Sequence, residues 1–214
     1  MYLSRVELDE TRRATMRGLA SPRIFHGAVE SAFPPGRRRR LWRLDRLHGK
    51  LYLLLLSEDV PDLSGIARQF GPPGGQGAIQ TRDYTPLLQR IQLDGLWQFR
   101  LTANPTKSCP RKSDPQARGK VLAHCTVEYQ KQWLLERAQK HGFSLEPEEF
   151  TVTKVRWLHF PKAREGGRLV TLLAVTYEGT LRVTDPALFQ ALLVNGIGRG
   201  KAYGLGLMTV MGRR

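Results

Sequence analysis

The order of the apolar patterns along this 214-residue chain restricts its fold more than any single motif does. The alternating stretch YLSRVEL (2–8) predicts a strand, and SPRIFHGAVESAF (21–33) predicts a helix because its apolar residues recur at helical spacing. Ser21 is the predicted N-cap of that helix. The patterns of a strand pair, a short helix and a further strand follow, in 41–58, 61–71 and 78–93. The predicted order over residues 1–93 is therefore β-α-β-β-α-β.

The same order recurs in the second half of the chain. Patterns of a strand, a helix, a pair of strands, a helix and a final strand occupy 96–108, 126–142, 149–184, 186–195 and 206–210. Thr126 and Asp185 are the predicted N-caps of the two helices, and 107–120 is a predicted polar loop interrupted by prolines. We therefore expect an α+β protein of two tandem ferredoxin-like (RRM-like) domains, residues 1–93 and 95–214.

The net charge indicates the kind of partner. The chain has 34 Lys and Arg against 19 Asp and Glu, which gives a formal charge of +15 at pH 7 and a pI near 10.5. An excess of this size favours a polyanionic partner, above all nucleic acid. The alternatives are a charge that only aids solubility and an acidic membrane surface, but no amphipathic cationic helix supports the membrane.

The cysteines, histidines and N-terminus predict a cytoplasmic protein without a metal or small-molecule cofactor. Cys109 and Cys125 form no C-x-x-C motif, and no two of the five histidines have metal-ligand spacing. The first ten residues carry charges where a signal peptide needs an apolar run. The longest aliphatic stretches, 51–56 and 169–175, are far shorter than the roughly 20 residues that cross a bilayer.

The segment GIGRGKAYGLG (196–206) places five glycines in eleven positions. It follows a predicted helix and precedes a predicted strand, whereas a P-loop and a dinucleotide-binding loop both need the reverse order. Ala202 also stands where a P-loop needs Ser or Thr. Two interpretations remain, a turn packed against the other domain and a clamp for a nucleic-acid backbone. The clamp would use Gly198, Arg199, Gly200 and Lys201, because glycine backbone and cations suit phosphate.

Three basic segments are candidate RNA contacts, the first of which has an equally good interpretation as a solvated charge run. They contribute Arg37, Arg38, Arg39 and Arg40; Lys107, Arg111 and Lys112; and Lys154, Arg156, Lys162, Arg164 and Arg168. The last set belongs to a predicted hairpin, 154–168, which would lie against a duplex and contact its phosphates. The RNP1 pattern is absent and aromatic residues make up only 8%, so stacking on a sheet face is not the expected main mode.

His26 is the candidate acid or base. A helical wheel places it at the rim of the apolar face, with Arg23 and Glu30 on the same side. A histidine at such a rim is often structural, but imidazole titrates near neutrality and is able to move a proton. RNA carries its own nucleophile, the 2′-hydroxyl. His26 with a cation from Arg23 or Lys201 would then suffice for RNA cleavage to a 2′,3′-cyclic phosphate and a 5′-hydroxyl.

Five stretches together carry a family resemblance. They are MYLSRVEL (1–8), SPRIFH (21–26), FRLTANPTK (99–107), YEGTLRVTDP (177–186) and GIGRGKAYGLGLMTV (196–210). In this order, across both halves, they resemble the CasE family, the CRISPR repeat-processing endoribonucleases of the type I-E Cascade complex.

The resemblance implies tandem ferredoxin-like domains and metal-independent cleavage of precursor CRISPR RNA at the 3′ base of the repeat hairpin. It also implies that the protein stays bound to that hairpin with other Cascade subunits. The family's catalytic histidine corresponds to His26, its loop lysine to Lys201 and its basic hairpin to 154–168. Some members have tyrosine where this chain has Arg23, so Arg23 is expected to bind phosphate instead. The alternative is an RNA-hairpin-binding subunit without catalytic activity.

Overall fold

The computed structural model describes residues 1–36, 38–74, 79–110, 119–162 and 168–212. The strands are β1 Tyr2–Leu8, β2 Leu41–Leu47, β3 Lys50–Ser57, β4 Ile79–Asp83, β5 Leu96–Ala103, β6 Thr106–Cys109, β7 Lys120–Ala123, β8 Phe143–Ser144, β9 Phe150–Pro161, β10 Leu169–Val183 and β11 Met208–Gly212. The helices are α1 Arg13–Ala20, α2 Arg23–Ser31, α3 Ser64–Phe70, α4 Thr85–Gln89, α5 Val127–Ala138 and α6 Pro186–Asn195, with 3₁₀ turns at Gln139–His141 and Lys201–Tyr203. No helix in these described ranges is long and apolar enough to cross a membrane.

The first sheet has the order β2-β3-β1-β4, and all three pairings are antiparallel. The second sheet has the order β11-β5-β10, with β8 and β9 both paired to the far side of β10. Each order places the first strand of a β-α-β-β-α-β unit between the third and the fourth, which is the ferredoxin-like arrangement. The predicted fold class is therefore confirmed.

The two sheets pack through one shared core. Strand β3 is buried on both faces: Leu53 and Leu55 face α2 and α3, whereas Leu54 and Leu56 join the core of the second sheet. Side chains alternate across a strand, so a strand between two layers must be apolar throughout, which explains the uninterrupted run at 51–56. The predicted division into 1–93 and 95–214 stays a proposal, with the first sheet ending at Asp83 and the second beginning at Leu96.

Local signals predicted some element ends correctly. The Thr126 hydroxyl accepts a hydrogen bond from the Tyr129 amide at 3.5 Å, and the Asp185 carboxylate accepts one from the Leu188 amide at 3.0 Å, so both helices are capped as expected. Ser21 makes no side-chain cap bond. The prediction at Ser21 is wrong because α1, which the apolar pattern did not indicate, ends immediately before it.

The predicted polar loop at 107–120 is also partly wrong. Residues 107–109 belong to β6 and Lys120 is the first residue of β7, and these strands pair as a separate two-stranded sheet. Residues 111–118 between them lie outside the described residues. The two strands, TKSC and KVLA, have four residues each, which is too short to show a period, so a hairpin of this kind has little sequence signal.

Candidate active site

Helix α2 fixes the position of His26. Phe25 and Val29 are fully buried, and the Phe25 ring packs against Phe70 with a centroid separation of 5.0 Å. These anchors hold the helix on the first sheet and leave His26 at the rim of the buried face, with 36% of its side chain exposed. His26 is therefore held by a rigid element and remains open to a ligand.

The glycine-rich segment 196–206 reaches His26 from the other half of the molecule. All five glycines have positive φ, between 67° and 88°, which L-residues rarely adopt. At Gly204 a Cβ atom would lie 2.7 Å from the Trp42 ring, so only glycine permits this approach to β2. The resulting tight path turns the Tyr203 ring toward His26.

Tyr203 and Glu30 are the aromatic and acidic neighbours of His26. The Tyr203 and His26 rings lie edge to face with centroids 6.5 Å apart, and Glu30 Oε1 lies 3.9 Å from His26 Nδ1. Glu30 is also ion-paired with Arg40. The sequence analysis did not identify Tyr203 as a site residue. An aromatic residue within a glycine-rich segment is nevertheless a signal, because its ring is expected to pack against a neighbouring element.

Lys201 begins the 3₁₀ turn that ends at Tyr203, and its side chain is partly buried. Burial, followed by the positive charge of Arg39, lowers the pKa of Lys201 below its ordinary value. Burial also lowers the pKa of His141, to which the charges of Arg137 and Lys201 contribute. The ammonium group of Lys201 thus belongs to a locally positive region. A negatively charged group, such as a phosphate, would be stabilised there.

An open groove of about 1070 Å³ runs beside His26. Arg17, Arg23 and Arg68 line it, and Pro161 at the end of β9 contributes to its wall. Within the described part of the chain, the buried Arg23 Nε has no hydrogen-bond partner. The groove therefore contains three arginines and one carboxylate, Asp62, together with His26, and this net positive lining favours a phosphate chain.

The predicted basic hairpin is formed by β9 and β10, and the Lys162 amide donates to the Arg168 carbonyl at 3.1 Å at its end. Lys154 and Arg156 line a narrow cleft together with Tyr203, so one face of this hairpin adjoins the glycine-rich segment. Lys162 and Arg168 are exposed at the tip. Arg164 lies outside the described residues.

The remaining predicted contacts are dispersed. Arg38 is ion-paired with Asp59, and Arg39 donates to the Asn195 carbonyl at 3.1 Å. The Arg40 side chain is only 5% exposed, held between Glu30 and the ring of Phe33. Four further predicted contacts are exposed or half-exposed: Lys107 on strand β6 and Gly198, Arg199 and Gly200 in the glycine-rich segment. The predicted contacts that lie outside the described residues are Arg37, Arg111 and Lys112.

The chemistry available at this site is proton transfer by an imidazole next to several cations. Among the described residues, no group of three or more His, Cys, Asp and Glu side chains is arranged to hold a metal ion. His26 has a phenol, Tyr203, and a carboxylate, Glu30, as neighbours, and it lines a groove to which three arginines also contribute. Such a set is suited to a phosphodiester substrate that carries its own nucleophile.

Comparisons with known proteins agree along the whole chain. A family model described as "CRISPR associated protein" matches residues 1–211. The CRISPR-associated endoribonuclease Cse3 of Thermus thermophilus is 33% identical over 227 residues, which cover 98% of this chain and 99% of the relative.

Two solved structures are also similar. CRISPR endoribonuclease Cse3 bound to 19 nt RNA is 29% identical, with a TM-score of 0.81 and coverage of 99% of this chain and 100% of that one. Thermus thermophilus Cse3 bound to an RNA representing a pre-cleavage complex is 30% identical, with a TM-score of 0.79 and coverage of 98% of each chain. Because the family model matches nearly every residue and the curated relative aligns over its full length, this chain belongs to the CRISPR-associated protein family, as the resemblance to CasE predicted.

Proposed function

We propose that this chain is an endoribonuclease that binds the repeat hairpin of precursor CRISPR RNA and cleaves it at the 3′ base of the stem. The observation that carries the proposal is the meeting of His26 with Tyr203 of the glycine-rich segment, 6.5 Å between ring centroids. It brings an acid or base from one half of the chain to a cation-bearing loop from the other half. The 33% identity to an endoribonuclease over nearly the full chain supports it.

The reaction that these groups suit is an internal transesterification. The 2′-hydroxyl loses its proton and its oxygen attacks the adjacent phosphorus, and the bond from phosphorus to the 5′-oxygen breaks. The products are a 2′,3′-cyclic phosphate and a 5′-hydroxyl that has gained a proton. His26 either accepts the first proton or donates the second, and each role requires the exposed imidazole that the rim of α2 provides. The proton that His26 does not transfer is exchanged with water, so one proton leaves the 2′-oxygen, one reaches the 5′-oxygen, and the reaction needs no metal ion.

The neighbours of His26 have supporting roles in this proposal. Lys201 and Arg23 stabilise the negative charge that develops on the phosphorane oxygens, because a cation placed in advance favours the transition state. Tyr203 restricts the imidazole from one side and Glu30 from another, 3.9 Å from Nδ1.

The cationic surfaces hold the RNA. In this proposal the groove beside His26 receives the backbone at the cleavage site, and Lys154 and Arg156 of the hairpin contact the stem. After cleavage the protein stays on the hairpin and joins the other Cascade subunits, as the family resemblance implies. We propose that it acts in the cytoplasm.

The test compares wild type with His26→Ala on a repeat-hairpin RNA in EDTA. Wild type is expected to cleave once, and the new 5′ end should accept phosphate from a kinase without prior dephosphorylation. His26→Ala is expected to lose at least a hundredfold in single-turnover rate, the usual contribution of an acid or base, and to bind the RNA as before. RNA with a 2′-deoxy nucleotide at the cleavage site should bind equally and stay intact.

His48→Asn is the matched control, because His48 lies exposed in the β2–β3 turn with φ of 52°, which Asn tolerates. It should cleave at the wild-type rate. Cleavage that needs Mg²⁺, or that survives His26→Ala, would overturn the mechanism. Binding without any cleavage by wild type would instead identify a non-catalytic hairpin-binding subunit.

A further inference from the structure

A small apolar cluster on the hairpin of β9 and β10 is distinct from the two larger cores of the molecule. Its buried members are Leu158, Phe160, Ala174 and Leu205, and Val170, Leu172 and Tyr203 pack against them. Leu205 and Tyr203 belong to the glycine-rich segment, and the other members belong to the hairpin. The cluster therefore joins the basic hairpin to the segment that reaches His26.

Phe160 is the hairpin residue of this cluster whose ring contacts the ring of Tyr203. The two rings lie edge to face, with centroids 4.8 Å apart and an angle of 65° between their planes. The Tyr203 ring in turn lies edge to face with the His26 ring, at a centroid separation of 6.5 Å. Three rings from β9, the glycine-rich segment and α2 therefore form a chain of contacts that ends at the imidazole.

The glycine-rich segment alone does not fix the Tyr203 ring. Tyr203 is half-buried and ends a 3₁₀ turn of three residues, which lies between Gly200 and Gly204. The backbone path sends the side chain toward His26, but a tyrosine still rotates about two bonds, and only packing contacts select one rotamer. Phe160 supplies such a contact from a buried position, since it is 1% exposed.

The face of β9 that carries Phe160 also carries cations that are proposed to contact the RNA stem. Side chains alternate along a strand, so Arg156, Leu158 and Phe160 lie on one face. Arg156 and Leu158 line the cleft that contains Tyr203, which agrees with this alternation. The part of the hairpin that would hold the stem is therefore continuous with the part that packs against Tyr203.

We propose that Phe160 is a positioning residue for RNA cleavage: it holds the Tyr203 ring, and through that ring it orients the imidazole of His26. Phe160 is too deeply buried to touch the substrate, so its effect is on the geometry of the acid or base. Small displacements of a reacting group have large effects on rate. This inference rests on the proposed function, in which His26 moves a proton and Tyr203 restricts its ring.

Single-turnover cleavage over a range of RNA concentrations separates positioning from binding. Phe160→Leu keeps an apolar side chain but removes the ring, so the maximal rate should fall about tenfold or more. The RNA concentration that gives half of that rate should stay at the wild-type value, because no RNA contact is removed.

Phe150→Leu is the matched control. Phe150 begins the same strand as Phe160 and is 3% exposed, but it belongs to the larger shared core. The ten residues between the two positions span roughly 30 Å along the strand. Phe150→Leu should lose stability in urea unfolding as Phe160→Leu does, and it should cleave at the wild-type maximal rate.

A double-mutant cycle tests whether Phe160 acts through Tyr203. Tyr203→Leu removes the ring between Phe160 and His26, and it should itself slow cleavage. Phe160→Leu added to Tyr203→Leu should then slow cleavage little further, because both substitutions interrupt the same chain of contacts. If the two effects multiplied instead, Phe160 would act on the reaction by another route and the proposal would be wrong.

The NMR resonance of the His26 Cε1 proton provides a measurement that needs no RNA. A nearby aromatic ring shifts this resonance, and the spectrum of His26→Ala identifies it among the five histidines. At alkaline pH, where imidazoles are neutral, Phe160→Leu and Tyr203→Leu should move it in the same direction. Phe150→Leu should leave it in place. Val170→Ala, which removes two methyl groups opposite Phe160 on β10, should move it less.

A wild-type maximal rate in Phe160→Leu, or an unmoved His26 resonance in that variant, would overturn this inference and leave the proposed function intact. If Phe160→Leu does not fold, the same two measurements on Val170→Ala decide in its place. Absence of cleavage by wild type would overturn the proposed function, and the resonance of the free protein would still show whether Phe160 positions the imidazole.

Discussion

Lys201 is the residue whose charge is most sensitive to its surroundings in the site. Burial and then the charge of Arg39 hold the pKa of Lys201 below the ordinary lysine value. The free enzyme therefore loses this cation at a lower pH than an exposed lysine would. If Lys201 stabilises the phosphorane, kcat/KM should fall on the alkaline side with a midpoint below the ordinary lysine pKa, as single-turnover rates from pH 7 to 10.5 would reveal.

Substitutions at positions 39 and 201 assign this alkaline limb. Arg39→Gln removes a positive neighbour, so the pKa of Lys201 should rise and the limb should move to higher pH. Lys201→Arg keeps its charge throughout and should remove the limb. Arg38→Gln is the matched control, because Arg38 pairs with Asp59 and does not act on Lys201. A limb that stays in place in Lys201→Arg would assign it to another group.

The same pKa predicts a dependence of stability on pH. A lysine with a lowered pKa in the folded state binds its proton less readily there than in the unfolded chain. The unfolded state then holds more protons between the two pKa values, and the free energy of unfolding rises with pH in that window. Lys201→Met should remove this rise, which urea unfolding at pH 8 and pH 10 would detect.

At the scale of elements, the glycine-rich segment is able to pack against β2 only because Gly204 has no side chain. Its φ is 78° and a Cβ would lie 2.7 Å from Trp42, which is fully buried and cannot move aside easily. Gly204→Ala should cost about 1–3 kcal/mol of unfolding free energy, as overpacking typically does. Because the displaced segment carries Tyr203 and Lys201, the cleavage rate should fall further than RNA affinity.

Gly65→Ala is the control for that substitution. Gly65 lies in α3, and a Cβ there would meet no atom within 4 Å. Alanine in a helix is favoured over glycine by roughly 0.5–1 kcal/mol, so this variant should be slightly more stable. Gly65 lines the groove beside His26, so the variant is a control for stability and not for cleavage. Thermal unfolding of the two variants and single-turnover cleavage by Gly204→Ala provide the comparison. Equal cleavage rates for Gly204→Ala and wild type would mean that the position of the segment does not matter for the reaction.

Elements with strong local signals were predictable from the sequence, and those without them were not. Thr126 and Asp185 cap their helices because a cap is a contact within one turn. Helix α1 was missed since only Thr15 and Gly18 of it are buried, which gives no apolar period. Tyr203 was missed for another reason: its neighbour His26 is 177 positions away in the sequence, and only the packing of the two halves brings them together.

At the scale of the whole molecule, one buried side chain connects the two sheets. Arg43 of β2 donates to both carboxylate oxygens of Asp45, and across the interface to the carbonyls of Arg100 and Leu207 and to the Thr209 hydroxyl. All five of its N–H donors are therefore used, which is the condition under which a buried guanidinium is tolerated. The distance between His26 and Tyr203 depends on this interface, because each half supplies one of them.

Arg43→Met is expected to destabilise the protein by about 3–5 kcal/mol, the usual cost of leaving one partner of a buried pair without the other. Asp45 is only 7% exposed and, among the described residues, would keep only Arg100, 3.8 Å away, as a cationic partner. In the double variant Arg43→Met with Asp45→Leu no orphaned charge remains, so most of the stability should return in urea unfolding. Cleavage should not return with it, because a purely apolar contact no longer fixes the carbonyls of Arg100 and Leu207 relative to β2. Full recovery of both stability and rate would mean that the interface needs only apolar packing to hold the site together.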